Sequence, residues 1–261
     1  MRRKLVAILL VVFMLTSMLT IFMANWGEND AWEDRSINSI AGALNMTPQG
    51  VSLAQYIDVQ KTHNTPLGDL LARGGAIKPY SLYNAEITEM CVVRLEDGSW
   101  VEFHQTATMP RVTNYVNAID YLGHNILIRD VGGARVANVL GSPNIYGPLE
   151  NVKRVLDVME GNASSAKDDF EILKKARSAE FERLGVEEFA DCFYLNIHQL
   201  ESGRYQSIRV YQNPSMDKAT DLTKLAETAP SHGLTYNIRQ YDGYVIVTII
   251  GEFEAVASEQ P

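Results

Sequence analysis

Hydrophobic and polar positions divide the chain into one long uncharged N-terminal run and many shorter periodic segments. The run extends from Leu5 to Ala24 and follows the basic residues Arg2, Arg3 and Lys4. As a helix, about 20 residues cover roughly the 30 Å thickness of the hydrocarbon core of a bilayer. Because basic residues stay on the cytoplasmic side, the pattern predicts a single-pass transmembrane helix with the rest of the chain outside the cytoplasm.

A cleaved secretory signal is the alternative interpretation of the same run. Such signals have an apolar stretch of about 7 to 15 residues and a site with small side chains. Here the stretch is longer, and the bulky Phe22 occupies a position of the best cleavage site, Phe22-Met23-Ala24, where a small residue is required. The protein is then secreted if the segment is removed and anchored in the cell membrane if it is retained.

Beyond the anchor at 1–24, the pattern predicts four segments. Residues 25–50 form a linker with a short helix, 51–132 a first α+β unit, 133–255 a second α+β unit, and 256–261 a disordered tail. In the first unit we expect strands at 52–59, 86–95, 99–105 and 125–131, and helices from Pro66 and over 112–122. The Asp97-Gly98 pair between two of these strands is typical of a tight hairpin turn.

The second unit repeats this order with one additional strand. We expect strands at 134–140, 190–199, 204–211, 234–241 and 244–250, and helices starting at Pro148, near Ser164 and at Met216. The order β-α-β-β-α-β is that of the ferredoxin-like sandwich. The predicted fold class is therefore α+β: an N-terminal transmembrane helix followed by two tandem ferredoxin-like units with antiparallel sheets.

Charge excludes one class of partner. The chain has a net charge of -9, and without the three N-terminal bases the exported part has a net charge near -12. Nucleic-acid binding requires concentrated positive charge, so no nucleic-acid partner is expected. We expect the protein to contact the membrane through its N-terminal helix, and to bind an envelope protein or a second copy of itself.

Two cysteines and two glycosylation sequons bear on the compartment. Cys91 and Cys192 fall in equivalent predicted strands, and form either a disulfide or two buried thiols. Asn45 and Asn162 each begin an N-x-[ST] sequon and are candidate glycosylation sites.

Catalytic and cofactor signatures are absent from the sequence. The five histidines are scattered without helical ligand spacing, so we predict no metal site and no cofactor. The glycine-rich stretch 141–148 is interpreted as a connecting turn. A surface hydrolase would need dispersed residues such as Asp191, Cys192 and His198.

Strand alternation predicts the candidate partner-binding face, because successive side chains point to opposite sides of a sheet. In the second unit, the residues assigned to the helix-free side are Tyr194, Asn196, His198, Tyr205, Arg209, Tyr211, Arg239 and Tyr241. In the first unit they are Tyr56, Asp58, Arg94, Trp100, Glu102, His104 and Arg129. These faces are solvated, packed between the two units, or used for a partner, since Tyr, Trp and Arg are enriched at binding hot spots.

Together these features predict a membrane-tethered, extracytoplasmic, non-enzymatic protein that assembles with envelope proteins or with itself. The alternatives are a small-ligand-binding sensory domain and a surface hydrolase with a dispersed site.

Overall fold

The computed structural model describes residues 35, 37–75, 82–112, 114–131, 133–187, 189–228 and 233–259. The predicted transmembrane segment Leu5–Ala24 lies outside these residues. Within them, no helix combines the length and the hydropathy needed to cross a bilayer. The transmembrane and single-pass assignment therefore has no support in the structure.

Twelve antiparallel strands form one continuous sheet. From one edge to the other the order is β11-β12-β10-β9-β8-β1-β2-β3-β7-β6-β5-β4. The strands are β1 (Val51–Asp58), β2 (Ile87–Leu95), β3 (Trp100–Thr106), β4 (Asn117–Tyr121), β5 (His124–Val131), β6 (Ala134–Val139), β7 (Asn144–Pro148), β8 (Phe181–Glu187), β9 (Ala190–Gln199), β10 (Tyr205–Pro214), β11 (Thr235–Tyr241) and β12 (Tyr244–Gly251).

The prediction of two tandem ferredoxin-like units is wrong. Strands β1 and β8 pair with each other, from Leu53↔Gly185 to Ile57↔Phe181, and this pairing joins the two halves of the chain into one sheet. A ferredoxin-like unit would instead have a separate four-stranded sheet with two helices on one side. The local pattern did not reveal the difference because it describes single strands and not the partner that each strand selects.

In the part of the chain that the structure describes, six helices flank the two sides of the sheet. They are α1 (Ile40–Leu44), α2 (Val59–Thr62), α3 (Pro66–Arg73), α4 (Leu149–Met159), α5 (Met216–Thr228) and α6 (Phe253–Ser258), with two 3₁₀ turns at Ala166–Asp169 and Glu171–Lys174. Helix α3 starts with Pro66 in its first turn, and the hydroxyl of Thr65 accepts the N–H of Gly68. This is the usual chemistry of a helix N-terminus.

The sheet has a front face, which carries Glu102 and Tyr211, and a back face, which carries Tyr56 and Tyr194. On the front face, α3, α5 and α6 contribute to a hydrophobic cluster that contains Leu67, Leu222 and Phe253. The back face is covered by α1, the 3₁₀ turns and α4. The hydrogen bond from the hydroxyl of Tyr121, on the back of β4, to Asp157 of α4 shows this placement for α4.

Two predicted helices are strands or turns. Residues 112–122 contain β4, and the predicted helix from Ser164 to Gly185 is replaced by the 3₁₀ turns and β8. Strand β8 is buried on both sides, including Glu182 at 2 % exposure, so its sequence lacks the alternation of a half-exposed strand. The predicted hairpins at Gly98 and Gly203 are confirmed, and both glycines have positive φ.

The segments that flank the sheet-forming residues pack more deeply than the sequence pattern predicts. The short helix expected in the linker is present as α1, and its Ile40 and Leu44 are fully buried. At the C-terminus, α6 includes Val256, which is also fully buried, although a disordered tail was predicted from residue 256. Both helices contribute side chains to the core, and that burial outweighs their short length.

The strand order has an internal two-fold pattern. In the first half, β1, β2 and β3 are neighbours in the sheet in chain order. The later strand β7 pairs with the free side of β3, and α4 follows β7 in the chain. In the second half, β8-β9-β10 are followed by β11 and β12, β12 pairs with β10, and α6 follows β12. A repeat is therefore present in the topology, but its unit is not ferredoxin-like.

Candidate functional site

Cross-strand register divides the predicted partner-binding face between both sides of the sheet. Tyr194 lies opposite Val210, whereas Tyr211 lies opposite Phe193. Residues directly opposite each other share a face. Tyr194, Asn196 and His198 are therefore on the back, and Tyr205, Arg209 and Tyr211 are on the front. A similar division holds in the first half, where Tyr56 lies opposite Cys91 and so belongs to the back face.

Most of these predicted residues are buried. Five are no more than 4 % exposed: Tyr194, Asn196, Tyr205, Arg209 and Tyr211. Tyr194 and Asn196 both donate to the carbonyl of Arg177 at 2.7 Å. His198 is half-buried, while Arg239 and Tyr241 are exposed on β11 at the sheet edge. Only the last two lie at a surface that a large partner reaches directly.

Cys91 and Cys192 are free, buried thiols. They belong to β2 and β9, with β1 and β8 between them. Three inter-strand steps of about 4.8 Å separate these strands, beyond the roughly 7 Å Cα separation that a disulfide tolerates. The predicted disulfide therefore does not form within the chain.

The dispersed hydrolase site has no reactive thiol. Burial raises the pKa of Cys192 to about 12, so the group is a neutral thiol near pH 7. Cys192 and His198 are six residues apart on the same face of β9, about 20 Å at the strand rise. Within the part of the chain that the structure describes, no group of three His, Cys, Asp or Glu residues is placed to hold a metal ion.

Both sequon asparagines are exposed. Asn45 follows α1, and Asn162 lies in the turn after α4. The structure therefore leaves room for a glycan at either position, and glycosylation stays a prediction.

A row of polar side chains crosses the front face in the first half of the sheet. Glu102 of β3 lies opposite Tyr146 of β7, and Tyr146 lies opposite Asn138 of β6. One step along the strands, His104 lies opposite Asn144. All five residues are no more than 8 % exposed. Buried polar side chains in such a number require specific partners.

Tyr83 completes this polar network from above the sheet. Its hydroxyl lies 3.0 Å from Nδ1 of His104 and accepts Nδ2 of Asn138 at 3.4 Å. On the other side of the imidazole, Nε2 lies 3.2 Å from Oε2 of Glu102. When the hydroxyl of Tyr83 donates to Nδ1, the imidazole tautomer with its hydrogen on Nε2 directs that hydrogen towards Glu102.

Glu102 also borders a groove of about 620 Å³ on the front face. Strands β1, β2, β3 and β7 form its floor, and the C-terminal end of α3 and the β2–β3 turn form its rim. The described residues that line it are Leu53, Gln55, Gly74, Gly75, Val92, Arg94, Gly98, Trp100, Glu102 and Tyr146. The volume is within the range of small-molecule sites. The groove is thus a concave surface with two aromatic rings and a buried carboxylate.

The aromatic rings of the groove form a corner. The ring centroids of Trp100 and Tyr146 are 5.3 Å apart, with an interplanar angle of 57°. Burial raises the pKa of the Tyr146 hydroxyl, so the side chain is a neutral phenol. Trp100 is half-buried, and Arg94, which lies opposite Trp100 in the register, is exposed.

Sequence reasoning identified part of this site. It assigned Arg94, Trp100, Glu102 and His104 to one side of a sheet, and the register confirms that they share the front face. It missed Tyr83, Asn138 and Tyr146. Tyr83 lies outside the strands, and Tyr146 lies in the stretch 141–148 that was interpreted as a turn but contains β7. Of these three residues, only Asn138 gave a sequence signal of a buried polar site, because it is a polar residue between the apolar Ala137 and Val139.

The two edges of the sheet are a second feature of interest. Among the described residues, no strand pairs with the outer side of β4 or of β11. Strand β11 has seven residues in regular register with β12, contains no proline, and carries one charged residue, Arg239. Charged residues, prolines and bulges are the usual means of blocking an edge against pairing.

Comparison with known proteins finds no similarity: no family profile, no curated protein and no solved structure matches the chain.

Proposed function

We propose that the protein is a non-enzymatic binding protein that holds a small ligand in the front-face groove, outside the cytoplasm. The observation that carries the proposal is the groove itself, with Glu102 at its floor. Small-ligand sites are concave, partly apolar and fitted with a few fixed polar groups. The groove has this composition, and the contacts of His104 and Tyr83 fix the carboxylate from behind.

The polar network favours binding over catalysis. The Tyr83 hydroxyl and the His104 imidazole are held against each other and are at most 7 % exposed. They orient Glu102 from within the sheet and do not reach the groove as a nucleophile or base would have to. A network buried in this way gives a rigid binding surface.

A compound screen with the full-length chain tests this proposal. Ligand binding to the folded state raises the melting temperature. We expect at least one compound from a panel of cationic, anionic, zwitterionic and neutral metabolites to raise it, and we expect Trp100→Leu to abolish the shift. A panel without any shift that depends on Trp100 would contradict the proposal.

The location outside the cytoplasm is supported by the N-terminal sequence. Three basic residues precede an uncharged run, which is the arrangement shared by export signals. Protease added to intact cells, with access to the outer compartment demonstrated by a marker protein, should degrade the C-terminal part. Full protection of that part would place it in the cytosol and contradict this component of the proposal.

A second candidate function is assembly through β11. Its outer edge pairs with no described strand, and Arg239 and Tyr241 lie exposed on it. A regular edge strand without proline and with a single charge accepts a further strand from an envelope protein or from a second copy of the chain.

A lysine on the edge tests assembly. Asn237 is exposed on β11, and Asn237→Lys places a positive charge on the edge, which disfavours pairing with another strand. Sedimentation at several concentrations should show association of the wild-type chain and its loss in the variant. Ser202→Lys, in the exposed turn between β9 and β10, is the control with the same charge change. A monomeric wild-type chain at all concentrations argues against self-assembly.

A further inference from the structure

We propose that the chain assembles with itself head to tail, with strand β4 of one copy paired to strand β11 of the next. This inference rests on the second candidate function, assembly through β11, and names the partner surface: the opposite edge of the same sheet. Strand direction permits this pairing, exposed apolar side chains mark β4 as a contact surface, and charge favours the pairing over that of two identical edges.

Strand direction permits the two different edges to pair. Every neighbouring pair among the twelve strands that the structure describes is antiparallel, so the outermost strands, β11 and β4, run in opposite directions. A second copy placed beside β4, with its front face on the same side, therefore presents its β11 antiparallel to β4. The junction continues the hydrogen-bonding pattern of the sheet.

Strand β4 is an edge of the same kind as β11. It keeps a regular register with β5, contains no proline and carries one charged residue, Asp120. In the described part of the chain, no strand pairs with its outer side. Prolines, bulges and several charges are the usual means of blocking an edge, so β4 accepts a further strand as β11 does.

Exposed apolar side chains flank β4. Tyr115 and Val116 precede the strand, Leu122 follows it, and all three are between 44 % and 64 % exposed. Within the strand, Ile119 is half-buried. Exposed apolar groups that gather along one edge are typical of an interaction surface. A strand added along β4 covers part of this apolar surface.

The single charges of the two edges have opposite sign and lie on opposite faces of the sheet. Tyr121 belongs to the back of β4, so the preceding residue, Asp120, points to the front. Arg239 shares a row with Ile246 of β12 and Val210 of β10, and the register of β10 with β9 places this row on the back.

Pairing of identical edges places like charges together. When two copies of β4 pair along their full length, the two Asp120 side chains are diagonal neighbours on one face, with Cβ atoms about 7–8 Å apart. Two copies of β11 bring the two Arg239 side chains together in the same way on the other face. Like charges at this separation repel. The junction of β4 with β11 contains one charge of each sign and avoids both repulsions.

A head-to-tail junction leaves an unused β11 edge at one end of the complex and an unused β4 edge at the other. Such contacts between different surfaces extend into a filament or close into a ring. The assembly therefore grows beyond two copies as the concentration rises, whereas pairing of β11 with β11 alone stops at two.

Two edge variants of the full-length chain test the inference by complementation. Asn237→Lys places a charge on β11, and Asn117→Lys makes the same change at an exposed position of β4. We expect sedimentation to show that each variant alone associates at least tenfold more weakly than the wild type. An equimolar mixture should form a complex with one chain of each variant, because the intact β4 of the first pairs with the intact β11 of the second.

Ser202→Lys is the control for both edge variants. It introduces the same charge in the exposed turn between β9 and β10, away from either edge, and should associate as the wild type does. Melting temperatures measured for every variant identify one that fails to fold. In that case Thr235→Lys replaces the change on β11, or Ala118→Lys the change on β4, because both positions are exposed on the same edges.

The outcomes separate this inference from the function on which it rests. If Asn117→Lys alone associates as strongly as the wild type, or if the mixture forms no complex, head-to-tail pairing is overturned. Weaker association of Asn237→Lys then still supports assembly through β11. If the wild type stays monomeric at all concentrations, or if neither variant weakens association, both the inference and self-assembly through β11 are overturned.

Discussion

Glu182 is a carboxylate inside the back face of the sheet. It is 2 % exposed, and its two oxygens accept the N–H of Ile40 at 3.1 Å and the N–H of Ala179 at 3.2 Å. Burial raises its pKa from 4.5 to about 7, although both hydrogen bonds oppose this shift. The ionisation of this carboxylate therefore falls near physiological pH.

The position of Glu182 makes the stability of the protein dependent on pH. A folded-state pKa above the unfolded value means that the folded chain binds the proton more tightly. The stability from protonation is fully present below pH 4.5 and is lost as the pH rises through about 7. A shift of this size corresponds to about 3 kcal/mol.

Glu182→Gln tests this prediction. We expect the free energy of unfolding of the wild type, relative to this variant, to fall by about 3 kcal/mol between pH 4 and pH 8, measured by urea denaturation. The change with pH isolates the ionisation from any constant effect of the lost hydrogen bond. Glu254→Gln, at an exposed position of α6, should show no such change relative to the wild type. If the free energy of unfolding changes with pH in the same way for the wild type and for Glu182→Gln, the assigned ionisation of Glu182 is wrong.

At the scale of elements, the junction of α2 and α3 depends on one glycine. A Cβ atom on Gly68 would collide with the backbone carbonyl of Thr62, and the side chain of Thr62 is itself bonded to the carbonyl of Asp58 at 2.8 Å. The two helices approach this closely because position 68 has no side chain. The approach places α3 over the front face and its C-terminal end at the groove.

Gly68→Ala should therefore destabilise the protein by about 1–3 kcal/mol, as overpacking in a tight contact does. Chemical denaturation measures the change. Gly74→Ala, at the end of the same helix, is the comparison: its Cβ would lie 3.3 Å from the carbonyl oxygen of Leu70 and needs only a small adjustment. Equal losses for both variants would contradict the assigned role of the Gly68 contact.

At the scale of the whole molecule, the β1–β8 pair joins the two halves of the sheet within the compact unit of residues 36–261. The row of front-face residues that contains Glu102 continues through Gln55 and Arg183 to Arg209 on the other half. Glu102 and Arg209 occupy equivalent positions in the two-fold pattern and have opposite charge. The two halves therefore share a topology but differ in the chemistry of their front faces.

We expect a single unfolding transition. Ile126 and Ile249 lie in opposite halves and are at most 1 % exposed, and replacing either by alanine should cost about 2–5 kcal/mol. Both variants should lower the midpoint of one common unfolding transition. Circular dichroism and tryptophan fluorescence, recorded on the same samples, measure that midpoint. Two transitions, with each variant affecting a different one, would show that the halves unfold independently.

Local sequence signals predicted the hairpins of β2–β3 and β9–β10, the helices α3, α4 and α5, and the front-face position of Trp100, Glu102 and His104. Each depends on residues close in sequence: Gly98 with positive φ in a turn, Pro66 at a helix start, and alternation within one strand. Strand β8 and the tyrosines of the site could not be predicted in this way. Both depend on burial against elements far away in the sequence.

The sequence by itself therefore determined most of the individual strands and turns, because glycine, proline and alternating side chains act on their own neighbours. The tertiary structure decided which strands pair, since β1 selects β8 across more than 100 residues, and no local pattern encodes that partner. It also decided the groove, where β1, β2, β3 and β7 meet the end of α3 and bring Glu102 between Trp100 and Tyr146.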